Sequence, residues 1–215
     1  MNNLIDRRDA LKIFFGTLIA PYLMNVAEAG TKQKRTLKVG RLELEVVQPE
    51  DAGIPQEYMD PNKTRSKLVY VPEERLSEKV SDSFTLGEFA IIRNPGYNKG
   101  KLIPVSHINK NTYHRFIRMD PKIVDDMQKL RDTFGSSLTV ICPFRNLTYN
   151  AKCGGELDSS HNSGQAVDIT PSNGKGLKEL YRLADEQFAN GGLGYYPRQK
   201  FIHVDVRGFR ARWTR

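Results

Sequence analysis

A chain of 215 residues with 39% hydrophobic and 27% charged residues is long enough for a globular domain and is unlike a disordered segment. Its formal net charge of +8 suits an anionic partner, but the basic residues form no stripe or tail, which argues against nucleic-acid binding. With only two cysteines, Cys142 and Cys153, it is neither a disulfide-rich scaffold nor a cysteine-based zinc finger.

Residues 1–29 have the layout of a secretory signal. Arg7 and Arg8 precede an apolar run over residues 13–24, and Ala27-Glu28-Ala29 is a small-x-small cleavage signature. The paired arginines, followed by a leucine and a lysine, resemble a twin-arginine signal. The apolar run is shorter than the roughly 20 residues of a membrane-spanning helix. We therefore expect an exported protein, periplasmic or cell-wall associated, with no stable membrane span after cleavage. A Sec signal and an amphipathic anchor are the alternatives.

Residues 30–80 are predicted to be an extension or linker. Segments 37–39 and 42–46 alternate apolar and polar residues, which predicts a hairpin turning at Gly40-Arg41. A loop-rich stretch with recurrent prolines follows and carries no recognisable chemistry.

Residues 81–215 predict a single domain of the α+β class. Asp120 can cap a helix that has Pro121 at its first position and stops at Gly135. Helical spacing of apolar residues predicts a second helix over 177–188. β-rich runs predict strands at 138–141 and 166–169 and a final hairpin with arms at 194–196 and 201–205. The pattern indicates helices packed on a small antiparallel sheet.

The segment 159–168 contains an imidazole and a carboxylate seven residues apart, His161 and Asp168. A turn at Gly164 can bring the two side chains together, and both suit Zn²⁺. Strand alternation directs His203 and Asp205 to one face, which makes His203 a third candidate ligand. Three protein ligands with an open fourth position are typical of catalytic zinc. The competing interpretation is structural, because a lone histidine in a strand is more often a core residue than a ligand.

Four motifs then follow one another in an order that is typical of one enzyme family. They are S-x-H-x-x-G-x-A-x-D at 159–168, G-x-G-Y-Y-P at 192–197, F-I-H-V-D at 201–205 and R-x-x-W at 210–213. Together they resemble the D-alanyl-D-alanine peptidase superfamily of zinc enzymes, over about Phe84 to Trp213. The resemblance implies a hedgehog/DD-peptidase-like zinc fold, His161, Asp168 and His203 as ligands of Zn²⁺, and the stem peptides of peptidoglycan as the partner.

The resemblance also implies roles for three further residues. The family carries S-G-[YF]-R upstream, and this chain has Cys142-Pro143-Phe144-Arg145 there, so Arg145 is expected to face the substrate carbonyl or carboxylate and to stabilise an oxyanion. Several members carry an acid three residues before the last ligand, where this chain has Lys200. Asp205 is then the candidate general base, or else it orients a ligand. Ser159 either binds substrate or caps a turn.

The sequence thus predicts a zinc-dependent peptidase that hydrolyses the peptide cross-links of peptidoglycan. A D-alanyl-D-alanine carboxypeptidase is the nearer alternative. Lys200 keeps open a zinc-bearing wall-binding module without catalysis, and a basic wall-binding protein without metal is a third possibility. Whether Cys142 and Cys153 form a disulfide is left open by the sequence. Arg210 and Trp213 are predicted to hold the C-terminal segment on the domain.

Overall fold

The computed structural model describes residues 34–48, 66–90, 92–93, 102–103 and 116–215. The predicted signal and most of the proline-rich stretch lie outside these residues. No helix in the described part of the chain is long and apolar enough to cross a membrane. The strands are β1 (Thr36–Val39), β2 (Leu42–Val46), β3 (Lys67–Tyr70), β4 (Ile92–Arg93), β5 (Leu102–Ile103), β6 (Phe116–Met119), β7 (Leu138–Cys142), β8 (Ala166–Pro171), β9 (Gly192–Tyr196), β10 (Phe201–Asp205) and β11 (Ala211–Thr214). The helices are α1 (Leu86–Ala90), α2 (Pro121–Phe134), α3 (Leu147–Lys152) and α4 (Leu177–Gln187).

The larger sheet has five strands in the order β11-β9-β10-β8-β7. Neighbours are antiparallel except β11, which joins β9 in parallel. In the register, Asp168 of β8 lies opposite His203 of β10 and opposite Cys142 of β7. Because side chains alternate along a strand, these polar groups share one face, while the intervening apolar residues of β8 and β10 are buried in the core.

The two predicted helices are confirmed and cover this sheet. The Asp120 carboxylate accepts from the backbone N–H of Lys122 at 3.0 Å, Pro121 opens α2, and Gly135 ends it in a left-handed conformation. Helix α2 packs against α4, which contacts β8, β9 and β10. The apolar faces of both helices, including Leu130 and Leu180, are buried. The polar row of the sheet therefore faces away from the helices.

A second sheet, in the order β1-β2-β3-β6, is antiparallel throughout. The predicted hairpin at residues 37–46 is confirmed, since Val39 pairs with Leu42. Strand β3 pairs with β6, so this sheet crosses the boundary that the sequence predicted between residues 80 and 81. Leu44 and Ile117 from this sheet are fully buried in the same hydrophobic cluster as the larger sheet. The predicted α+β class is confirmed.

Candidate metal and catalytic site

Three ligand atoms, two from residues seven positions apart and one from a distant strand, form a nearly equilateral triangle. His161 Nε2 lies 3.2 Å from Asp168 Oδ1 and 3.1 Å from His203 Nδ1, and His203 Nδ1 lies 3.0 Å from Asp168 Oδ1. The strand register positions Asp168 and His203, and a turn at Gly164, whose N–H donates to His161 O at 3.1 Å, positions His161. The structure therefore brings together all three residues that were predicted as metal ligands.

The His161 ring is oriented by the backbone of the segment that precedes Arg145. Its Nδ1 lies 2.6 Å from Pro143 O, a carbonyl that can only accept, so Nδ1 carries the hydrogen. Burial, with the nearby Arg145 cation, lowers the pKa of His161 to about 4, so the ring is neutral at neutral pH. The unprotonated Nε2 consequently faces the centre of the triangle.

The His203 ring is held in the same way by a carboxylate. Its Nε2 donates to Asp205 Oδ2 at 3.0 Å, which leaves Nδ1 directed at Asp168 and His161. Burial disfavours the imidazolium, but hydrogen bonds to Asp168 and Asp205 raise the pKa of His203 above its usual value. In the neutral tautomer with its hydrogen on Nε2, His203 Nδ1 is an acceptor like His161 Nε2 and Asp168 Oδ1, and the point between these three atoms then favours a cation. Without a cation, the raised pKa of His203 favours a proton on Nδ1 instead.

Asp168 is shared between the triangle and Arg145. Arg145 Nη2 donates to Asp168 Oδ2 at 2.7 Å, and Arg145 Nε donates to Cys142 Sγ at 2.9 Å. Burial opposes the Asp168 charge, but His161, His203 and Arg145 hold its pKa well below the usual range. Arg145 thus fixes one carboxylate oxygen and leaves the other, Oδ1, at the centre.

Cys142 is an alternative to His203 as the third ligand, because its Sγ lies within 4.8 Å of the ligand atoms of His161 and Asp168. Metal binding requires the thiolate, and burial raises the pKa of this thiol to about 12. Its sulfur also accepts the hydrogen bond from Arg145. The geometry therefore favours His203 over Cys142. Both cysteines are free in the structure, Cys142 buried and Cys153 exposed.

Asp205 is fully buried and is surrounded by donors. Besides His203 Nε2, it accepts from the backbone N–H of Gly192 at 2.9 Å and from Arg207 through both the side chain and the backbone N–H. Burial opposes its charge, but His203 and Arg207 lower the pKa of Asp205. Of the two roles that the sequence left open, this arrangement favours orientation of His203 over service as a general base.

The triangle lies at the floor of an open cleft of about 470 Å³. One wall is the loop that precedes His161, with Glu156, Asp158 and Ser159. Ser159 Oγ accepts from the His161 backbone N–H at 3.3 Å, so it caps this turn while also lining the cleft. Lys200 does not line the cleft. The carboxylates there outside the triangle are Glu156 and Asp158.

The cleft is also lined by a residue for which the sequence predicted a purely structural role. Trp213 lines the cleft, 5.2 Å from the His203 ring between centroids, and its Nε1 donates to Tyr196 Oη at 2.9 Å. A Cβ at Gly194 would lie 2.5 Å from the indole, so glycine is required for this approach. In the sequence, the glycine inside this strand was the signal that could have indicated the close approach of another side chain. Arg210 does pair with Asp185, as its predicted clamping role requires.

Comparisons with known proteins relate the chain to peptidases that act on peptidoglycan. Residues 102–205 match the model of the family described as Peptidase M15. The probable peptidoglycan L,D-endopeptidase MepK of Haemophilus influenzae is 27% identical over 134 residues, covering 58% of this chain and 70% of that protein. The peptidoglycan L,D-endopeptidase MepK of Escherichia coli K12 is 30% identical over 119 residues, 52% of this chain and 64% of that protein. No solved structure matches.

The match over residues 102–205 contains His161, Asp168 and His203, together with Arg145 and Asp205. The alignment with the E. coli relative spans just under two thirds of that protein's length. Residues 102–205 therefore resemble the peptidase M15 family, and the chain is similar to the MepK endopeptidases over 52–58% of its length.

Proposed function

We propose that the chain is a zinc-dependent peptidase that hydrolyses peptide bonds in the cross-links of bacterial peptidoglycan, on a hedgehog/DD-peptidase-like zinc fold. The observation that carries the proposal is the convergence of His161 Nε2, Asp168 Oδ1 and His203 Nδ1 at the floor of an open cleft. The match to the peptidase M15 family and the peptidoglycan endopeptidase activity of the MepK relatives support the substrate class.

The donor set fits zinc. Ligand distances of about 2.0–2.2 Å in a tetrahedron separate neighbouring ligand atoms by roughly 3.3–3.6 Å, and the three observed separations need to open only slightly. Both rings present unprotonated nitrogens because Pro143 O and Asp205 hold the other nitrogens. Imidazole and carboxylate donors in this number, on the floor of an open cleft, are typical of catalytic rather than structural zinc.

In this proposal the residues around the triangle have separate roles in peptide hydrolysis. When bound, zinc supplies Lewis acidity and lowers the pKa of a water. Arg145 holds Asp168 and also lines the cleft, where its guanidinium can stabilise negative charge that develops on the substrate carbonyl. Glu156 or Asp158 accepts the proton of the attacking water, since Asp205 is occupied and Lys200 is outside the cleft. Ser159 contributes to substrate binding from the same loop.

One observation favours a second candidate, a zinc-bearing wall-binding module without catalysis. Both cleft carboxylates outside the triangle are exposed, and Glu156 pairs with Arg215 at 3.4 Å. If neither acts as a base, the site retains metal and loses turnover. A D-alanyl-D-alanine carboxypeptidase differs only in the bond cut.

The experiment is digestion of purified peptidoglycan sacculi by the metal-loaded protein, with mass spectrometry of the released fragments. We expect shortened cross-links, loss of activity with a chelator, and recovery on addition of zinc. Release of terminal D-alanine alone would assign the carboxypeptidase. Metal bound at about one ion per chain without any cleavage would assign the binding module and refute the peptidase.

We also propose that the protein is exported and acts in the cell envelope. The support is the signal-like layout of residues 1–29 and the similarity to relatives that are peptidoglycan endopeptidases. Fractionation of cells that express the chain with Arg7 and Arg8 replaced by lysines tests the twin-arginine route. Unchanged export would assign the Sec route.

A further inference from the structure

Arg207 lies at the boundary between the buried support of the site and the open cleft. Its Nε donates to Asp205 Oδ1 at 2.8 Å and to Oδ2 at 2.9 Å, and its Nη2 also reaches Oδ2. Its backbone N–H donates to Oδ1 at 3.1 Å. Asp205 in turn holds His203, so the guanidinium is connected to the triangle through one carboxylate.

The guanidinium is also held by aromatic rings. Its Cζ lies 5.3 Å from the centroid of Trp213 and 5.6 Å from that of Phe209. Such contacts with a planar cation are favourable and restrict its rotation. Trp213 is itself fixed by its hydrogen bond to Tyr196 and its packing on His203. Arg207 is therefore pre-organised before any ligand enters the cleft.

Part of this rigid cation is not used by the protein. The Arg207 side chain retains 24% of its exposure and lines the same cleft as the triangle. Among the described residues, no hydrogen-bond acceptor contacts its Nη1. The hydrogen bond with Asp205 is the main cause of the raised pKa of Arg207, and the nearby charge of Asp158 adds to it. A rigid guanidinium with an open edge is a receptor for an oxyanion.

We propose that Arg207 binds a free carboxylate of the substrate peptide and so makes the cleft selective for peptides that carry a carboxylate close to the cleaved bond. The inference rests on the proposed function, because it assigns a substrate group to the same site. Of the two other cleft arginines, Arg145 is bonded to Asp168 and Cys142, and Arg215 makes one exposed contact with Glu156 at 3.4 Å and has no comparable rigid support in the part of the chain that the structure describes. Among these three arginines, Arg207 combines rigid support, an open edge and a connection to His203 through Asp205.

The test compares two substrates on each of three variants. The substrates are a cross-linked muropeptide and the same muropeptide after conversion of its free carboxylates to carboxamides. The variants are Arg207→Gln, Arg215→Gln and, as the matched control outside the cleft, Arg210→Gln. KM and kcat are measured for both substrates. Calorimetry with the cleaved peptides gives binding independently of turnover, and melting temperature and zinc content show that each variant is folded and loaded.

We expect the unaltered protein to prefer the carboxylate substrate, and Arg207→Gln to raise its KM by about tenfold or more while leaving the KM of the amidated substrate unchanged. Arg210→Gln should change neither. An equal loss on both substrates would show that Arg207 acts only through Asp205, and loss of preference in Arg215→Gln instead would move the receptor to the rim. Either result overturns the inference, as does absence of a preference in the unaltered protein. If the unaltered protein cleaves neither muropeptide, the proposed function fails, and calorimetry still decides whether Arg207 binds the carboxylate.

Discussion

The two larger sheets follow the same alternation of side chains but bury different chemistry. In the β1-β2-β3-β6 sheet the fully buried positions include the aliphatic residues Val39, Leu44 and Ile117, and the buried charged residue Arg118, at 6% exposure, donates to the Ser66 carbonyl and lies outside the cleft. In the β11-β9-β10-β8-β7 sheet, Asp168, His203 and Asp205 are buried on one face at 5%, 7% and 0% exposure. Burying charged and polar groups is costly unless they are paired, so the second pattern is expected where function, and not stability, determines the residue. The comparison predicts that substitutions in the β11-β9-β10-β8-β7 sheet chiefly lower metal binding and activity, while substitutions in the β1-β2-β3-β6 sheet chiefly lower stability.

The largest effect is expected from His203→Ala, which removes one corner of the triangle. Metal content should fall from about one ion per chain to nearly none, and turnover should fall with it, beyond the roughly 10–100-fold loss typical of an outer hydrogen-bond partner. Asp205→Asn is the matched comparison and should show that smaller loss in metal affinity. Metal analysis and sacculus digestion measure both. A fall in kcat for Asp205→Asn at unchanged metal affinity would instead make Asp205 the general base.

The opposite behaviour is expected from Leu44→Ala in the second sheet. Leu44 is fully buried, so its truncation should lower the free energy of unfolding by about 2–5 kcal/mol. Zinc stoichiometry should not change. Trp213, the only tryptophan, packs on His203, so its fluorescence reports the cleft separately from urea unfolding followed by circular dichroism. Loss of metal binding at low urea would show that the two sheets are not separable.

The last pair of variants concerns the turn at which the two regions meet, and the smallest effect is expected at its control position, Gly174. Gly164 has φ +67°, and a Cβ there would lie 2.1 Å from the carbonyl oxygen of Arg118, next to the second sheet. Gly174 has φ +70° with nothing within 4 Å. Gly174→Ala should therefore cost about 1–2 kcal/mol from backbone conformation alone. Gly164→Ala should cost more and also weaken zinc binding, because His161 lies on the same turn. Equal losses in the two variants, with zinc affinity intact, would contradict a coupling through this turn.

Local signals were sufficient for much of the fold. The cap at Asp120, the stop at Gly135 and the hairpin at Gly40-Arg41 depend on neighbours within a few residues, and all three are confirmed. Strands β3, β6 and β11 were not predicted. Each is four residues long, and each is formed by pairing with a partner distant in the sequence, as β3 is with β6. Intrinsic preference is weak evidence for such strands.

The same distinction between local signals and long-range contacts applies to the candidate site. Motif spacing and residue chemistry were enough to predict His161, Asp168 and His203 as ligands, and the fold brings their ligand atoms together. The sequence could not show which groups form hydrogen bonds or packing contacts with each predicted ligand. Whether Asp205 is a base or a support, whether Arg145 is free or bonded to Asp168, and whether Trp213 lies in the cleft all depend on long-range register and hydrogen-bond partners. A side chain's partners are set by which strands and turns pack together, and this is why only the tertiary structure could show these contacts.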